Sequence, residues 1–106
     1  MTNVVVLLTD QQALHSIGAY GSQVCRTPNI DALANDGIRF TRAYTPCALC
    51  TPARASLLTG LYPHKHGAIH NTGTHLPFTP ELIGQGLSIY PSAMQESGYQ
   101  LGYAGK

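Results

Sequence analysis

The sequence predicts an α/β fold with a mostly parallel central sheet flanked by helices, and three features carry that prediction. Val4-Val5-Val6-Leu7-Leu8 is a continuous aliphatic run without alternation, the pattern of a strand buried on both faces of a parallel sheet. Two Thr-Pro steps, Thr27-Pro28 and Thr51-Pro52, each open a helical stretch that a glycine closes. Threonine offers an N-cap oxygen and proline suits the first helical position. Strand-like and helical stretches then alternate as far as Tyr99-Gln100-Leu101-Gly102-Tyr103-Ala104, an order that builds parallel sheets through helical crossovers.

The first predicted strand ends at Thr9-Asp10-Gln11-Gln12. Ligands bind at the carboxyl ends of strands in open α/β sheets, so these polar residues are candidates for chemistry; the plainer alternative for Asp10 is a turn cap. In the helix after Thr27, Asp31 complements the helix dipole, and Ile30, Leu33 and Ala34 form one apolar face. Gly37 is expected to stop it in a left-handed conformation. Residues 38–44 alternate apolar and polar, which predicts a strand with one buried face. The second helix is expected over 53–59, with Leu57 and Leu58 directed inward and Gly60 closing it. Residues 61–87, rich in His, Gly and Pro, read as a long loop, the kind of segment that carries function. A helix over 88–97, stopped by Gly98, precedes a last strand over 99–104.

Composition narrows the function. Charged residues make up 10% of the 106 residues, against roughly 25% in a typical soluble domain. Six Lys+Arg and five Asp+Glu leave a net charge of +1, too little positive charge for a nucleic-acid surface. So sparse a charge suggests that other protein covers much of this surface, as in one piece of a larger molecule. The start lacks a basic segment, and the run at 4–8 is too short for a signal sequence or a membrane span, so the expected compartment is the cytoplasm with no membrane partner. Cys25, Cys47 and Cys50 cannot all pair with one another, which argues against a secreted disulfide framework. Cys47 and Cys50 form a Cys-x-x-Cys without the second pair a zinc site needs, and His64, His66, His70 and His75 fit no standard zinc spacing. His66 is expected to be structural.

The most informative stretch is Cys50-Thr51-Pro52-Ala53-Arg54-Ala55-Ser56-Leu57-Leu58-Thr59-Gly60. It puts a sulfur at the mouth of a helix N-terminus, where free amides and the dipole favour developing negative charge. Arg54 follows by about one helical turn, so its guanidinium can serve the same spot and bind a tetrahedral oxyanion through two donors. These residues resemble the sulfatase signature, Cys-x-Pro-x-Arg with a Leu-Leu-Thr-Gly ending. Further family landmarks follow in order: Thr9-Asp10-Gln11-Gln12, Tyr20-Gly21, Thr27 to Ala34, Gly37-Ile38-Arg39-Phe40, Gly60-Leu61-Tyr62-Pro63 with His66-Gly67, and Gly98-Tyr99 through Gly105-Lys106. The resemblance spans essentially the whole chain. It implies an alkaline phosphatase-like fold, of which residues 1–106 would be the N-terminal part of the catalytic domain, truncated before that domain is complete.

The resemblance also implies roles. Cys50 matches the cysteine that the family converts to formylglycine, whose hydrated aldehyde attacks the sulfur of the ester and then expels sulfate. Asp10 matches a ligand of a divalent cation, generally calcium; Gln11 stands where many relatives have a second aspartate, and an amide oxygen still suits a hard cation. Cys50, once modified, would join that metal site. Arg54 matches the residue that orients formylglycine, and Lys106 matches the lysine that binds sulfate oxygens and assists the leaving group. Asn71 fits a substrate-binding position of the phosphonate monoester hydrolase branch, as does the Asp10-Gln11 pair. The expected activity is hydrolysis of a sulfate ester or sulfated sugar, after action of a formylglycine-generating maturation enzyme. The alternatives are a phosphonate or phosphate ester hydrolase of the same superfamily, and a chain that is non-catalytic in isolation.

Overall fold

Proline and glycine punctuation decides where the helices of this chain begin and end. The computed structural model describes residues 2–71 and 86–105, and these divide into two units, Met1–Ala43 and Tyr44–Lys106.

In the first unit, two short 3-10 turns, Leu14–Ser16 and Gly18–Tyr20, precede helix α1, Pro28–Asp36. Thr27 occupies the N-cap position of α1, yet its side chain does not cap the helix. Its hydroxyl donates to Asp31 Oδ1 at 2.9 Å and accepts the Gly18 N–H at 2.8 Å. Asp31 also accepts the Ala19 N–H at 2.6 Å, so the first turn of α1 grips the turn at Gly18–Tyr20. A Cβ at residue 18 would collide with the Asp31 carboxylate, so any larger residue there would have to displace the carboxylate from its bonds to Thr27 and Ala19. The Arg39 guanidinium donates to the Ala19 carbonyl and lies over the Tyr20 ring, 5.4 Å from its centroid. Tyr20 in turn donates its hydroxyl to the Phe40 carbonyl at 2.8 Å.

The second unit contains α2 at Cys50–Thr59, the single turn α3 at Pro63–His66, and α4 at Tyr90–Glu96. Gly60 and Gly67 end α2 and α3 in the left-handed conformation, with φ of 70° and 78°. At the end of α4, Gly98 N–H reaches the Gln95 carbonyl and Tyr99 N–H the Met94 carbonyl; these are the paired bonds of a Schellman motif. Among the described residues, those that are buried, Pro52, Ala55, His66 and Ala68, lie where α2 meets α3.

The expected α/β fold with its parallel, alkaline phosphatase-like sheet is not what forms. Among the described residues there is no strand: residues 4–8, 38–44 and 99–104 pair with nothing as ladders. The run at 4–8 is apolar enough for an interior strand, but its side chains are 53% to 80% exposed. A strand of that kind holds its shape only with paired edges and helices over both faces, and the described helices of this chain do not cover it. Three finer expectations are also corrected. Gly37 ends α1 with φ of −120°, outside the left-handed region. Helix α2 starts at Cys50 with Leu49 as its N-cap, so Cys50 lies inside the first turn and Thr51 is not the cap. Leu57 is exposed, and the buried stripe of α2 is made by Pro52 and Ala55.

Candidate active site

Helix α2 has three distinguishable faces. Pro52 and Ala55 pack inward; Ala53, Ser56, Leu57 and Gly60 border an open hollow of about 510 Å³. Cys50 and Arg54, one turn apart, share the remaining side and do not line that hollow. Both are partly exposed, which keeps them within reach of a ligand. The arrangement puts a sulfur atom in the first turn of a helix, where the dipole favours negative charge, with an arginine one turn further along.

The N-terminus of α2 is completed from a distance. A helix start leaves its first N–H groups without partners inside the helix, and Leu49 offers no side-chain cap. Ala53 N–H already bonds the Leu49 carbonyl at 2.9 Å, and Pro52 has no N–H to satisfy. Thr51 N–H donates to Asn71 Oδ1 at 3.0 Å.

His66 fastens the other end of the loop to the same helix. It is fully buried. Its Nδ1 accepts the Ala68 N–H at 3.1 Å, so the neutral ring carries its proton on Nε2 and donates it to Ser56 Oγ, 3.0 Å away. Burial pushes the His66 pKa below its ordinary value of 6.5; a backbone hydrogen bond opposes that shift and neighbouring His64 reinforces it. The sequence points to His66 as structural but gives no sign of Ser56 or Thr51, because one acts through a helix hydroxyl that meets a distant ring and the other through its backbone. The only sequence trace of either was the position of His66-Gly67 and Asn71 after the helix.

Of the predicted site residues, Cys50, Arg54 and Asn71 come together on or at α2 in the second unit. Asp10 and Gln11 belong to the first unit, where they form an exposed bend. Gln11 has φ of 54°, a left-handed conformation uncommon for a side chain of that size. Lys106 and His75 lie outside the described residues. A carboxylate and an amide oxygen side by side are hard donors of the type calcium takes, but calcium binds six to eight oxygens. Among the described residues no three His, Cys, Asp or Glu side chains gather as a metal site. The donors therefore fit a hard cation in kind and could supply only part of a coordination shell. No described helix is long and apolar enough to cross a membrane.

Comparison with known proteins agrees with the signature on α2. The chain is 39% identical over 105 residues to an ulvan-active sulfatase from Formosa agariphila, covering 98% of this chain and 19% of that protein. It is 34% identical to an N-acetylglucosamine-6-O-sulfatase from Bacteroides thetaiotaomicron, covering 98% of this chain and 17% of the relative. Human arylsulfatase H is 34% identical, with 98% and 19% covered. The chain thus spans about a fifth of the length of these relatives. No solved structure gives a significant match. The sulfatase family model matches residues 2–106, and the chain belongs to the sulfatase family.

Proposed function

We propose that the protein carrying this chain hydrolyses sulfuric esters, with residues 1–106 as the N-terminal part of a larger catalytic domain. One observation carries the reading: Cys50, Pro52, Arg54 and Leu57-Leu58-Thr59 lie in register on one continuous helix whose first turn contains Cys50 and which Gly60 closes. Converted to formylglycine by a maturation enzyme, position 50 would supply a hydrated aldehyde oxygen as nucleophile. Asp10 and Gln11 would hold part of a divalent cation, with calcium the natural choice for oxygen donors, and the ion would offset charge on the ester.

The chain's own residues then have separable tasks. The first turn of α2 presents position 50 in a field that favours an anion. Arg54 orients the reacting group and neutralises oxyanion charge through its planar fork. Lys106 would bind sulfate oxygens and favour the leaving group. Asn71, a substrate-binding candidate by the resemblance, offers its carboxamide oxygen to the Thr51 N–H next to position 50. The relatives named for ulvan and for N-acetylglucosamine 6-sulfate support a sulfated sugar as the substrate class.

The test begins with the mass of the Cys50 peptide from cells containing the maturation enzyme. Loss of the sulfur with gain of a carbonyl oxygen is expected, and a persistent thiol together with full turnover would sink the reading. Gln11, an amide where many family members have a carboxylate, favours a phosphonate or phosphate ester as the second reading. Relative kcat/KM on matched aryl sulfate and aryl phosphonate esters decides between the two.

A further inference from the structure

We propose that Asn71 is a positioning residue: its carboxamide oxygen, held by the Thr51 N–H, fixes the first turn of α2 and with it the direction in which position 50 presents its reacting group. The proposal rests on the reading of Cys50 as the nucleophile position.

Helix α2 has the residue of interest inside its first turn, while its N-cap, Leu49, has no side-chain oxygen to offer. The turn would fray if nothing held it, since the first N–H groups find no carbonyl within the helix. Proline at 52 removes one donor, and Asn71 takes the next, Thr51. A backbone N–H can only donate, so the carboxamide must face it with oxygen, which fixes the orientation of the amide. The bond joins the residue directly after Cys50 to a side chain 20 positions further along.

That long reach is made reliable by a second fastening. After α2 the chain reverses at Gly60, makes the turn α3 and reverses again at Gly67. His66 within that path is buried and bonded both to Ser56 of α2 and to the Ala68 N–H. The segment leading to Asn71 is therefore tied to the helix it caps, and the carboxamide is delivered to Thr51 at little further entropic cost. A nucleophile that must approach a tetrahedral centre in line loses about 100-fold in rate for a displacement of about 1 Å. Release of the cap acts on that displacement and leaves ground-state binding of the ester largely alone.

The full-length protein is made with Asn71→Ala and Asn71→Asp, the second of which keeps an acceptor oxygen. On protein expressed without the maturation enzyme, exchange of the Thr51 amide is followed, together with alkylation of the Cys50 thiol by iodoacetamide in a Cys25→Ser, Cys47→Ser background. Asn71→Ala should raise Thr51 exchange roughly five- to tenfold and change the Cys50 alkylation rate about threefold or more, whereas Asn71→Asp restores the amide protection. On the matured protein, Asn71→Ala should lower kcat for an aryl sulfate about 10- to 100-fold with KM within about twofold. Unchanged Thr51 exchange, or a raised KM with unchanged kcat, overturns the proposal. A parent protein that stays unmodified and inactive overturns the formylglycine reading instead, and the exchange and alkylation results still decide whether Asn71 positions residue 50.

Discussion

The first unit holds a 3-10 turn against α1 with hydrogen bonds from Thr27, Asp31 and Arg39, and buries none of its described residues. The second closes Pro52, Ala55, His66 and Ala68 around the junction of α2 and α3, where one imidazole links Ser56 of α2 to the Ala68 N–H. The difference teaches where each unit is vulnerable. Solvated polar links contribute about 0.5–1.5 kcal/mol each and fail one at a time. A buried histidine cannot be removed without leaving a void and stranded partners. Cys50 and Arg54, two of the residues proposed for catalysis, sit on the helix that has the buried junction, which suits a group that must be held in one direction.

The largest effect separates chemistry from both kinds of support. Cys50→Ala should lower turnover of an aryl sulfate by the full-length protein by at least about 10³-fold. Its unfolding free energy should move by no more than about 0.5 kcal/mol, since the side chain is only partly buried. Steady-state kinetics and urea denaturation read the two quantities. His66→Ala inverts that pattern: it empties a buried site and strands Ser56 Oγ and the Ala68 N–H, a loss of about 2–4 kcal/mol. Hydrogen exchange should show the loss around α2 and α3 while α1 keeps its protection. Gly18→Ala tests the first unit by driving a methyl group into the Asp31 carboxylate, at about 1–3 kcal/mol. Thr27→Val, which removes only the shared hydroxyl, should cost about 1 kcal/mol. Equal losses for Gly18→Ala and His66→Ala would dissolve the contrast between the units.

Local structure was legible where it depends on adjacent residues. Pro28 announced the start of α1 and Gly60 the end of α2, because φ preferences act within a few positions, whereas the cap expected from the Thr27 hydroxyl did not form. The helix predicted over 88–97 forms as Tyr90–Glu96, trimmed at both ends. The strands were misread because a β-prone sequence such as residues 4–8 specifies what it can bury, while a partner strand has to be supplied from elsewhere. At the site, the register of Cys50, Pro52 and Arg54 was visible as a motif. The Asn71–Thr51 and His66–Ser56 bonds were not, because their separations carry no periodicity and one partner in the first is a main-chain amide.

The smallest effect sharpens the comparison through pH. His66 is held below its ordinary value of 6.5, chiefly by burial, with His64 adding to the shift. In the unfolded chain the imidazole takes up a proton near 6.5, whereas in the folded second unit it resists doing so. Between the folded value and 6.5 the unfolded state therefore binds more protons, and stability rises with pH in that window. The contribution is complete above pH 6.5 and is lost as pH falls through the folded value. Protonation also needs Nδ1, which already accepts the Ala68 N–H, so the imidazolium breaks a bond as well as burying a charge. Urea midpoints of the full-length protein at pH 7.5 and pH 5.5 should fall toward acid, with exchange around α2 and α3 rising first. The same series in His66→Gln, which keeps polar atoms but cannot titrate, should be flatter; an identical slope would assign the acid sensitivity to other groups and remove the histidine from the account of the second unit. The first unit, whose described cross-links include no histidine, should keep its exchange pattern through the same interval.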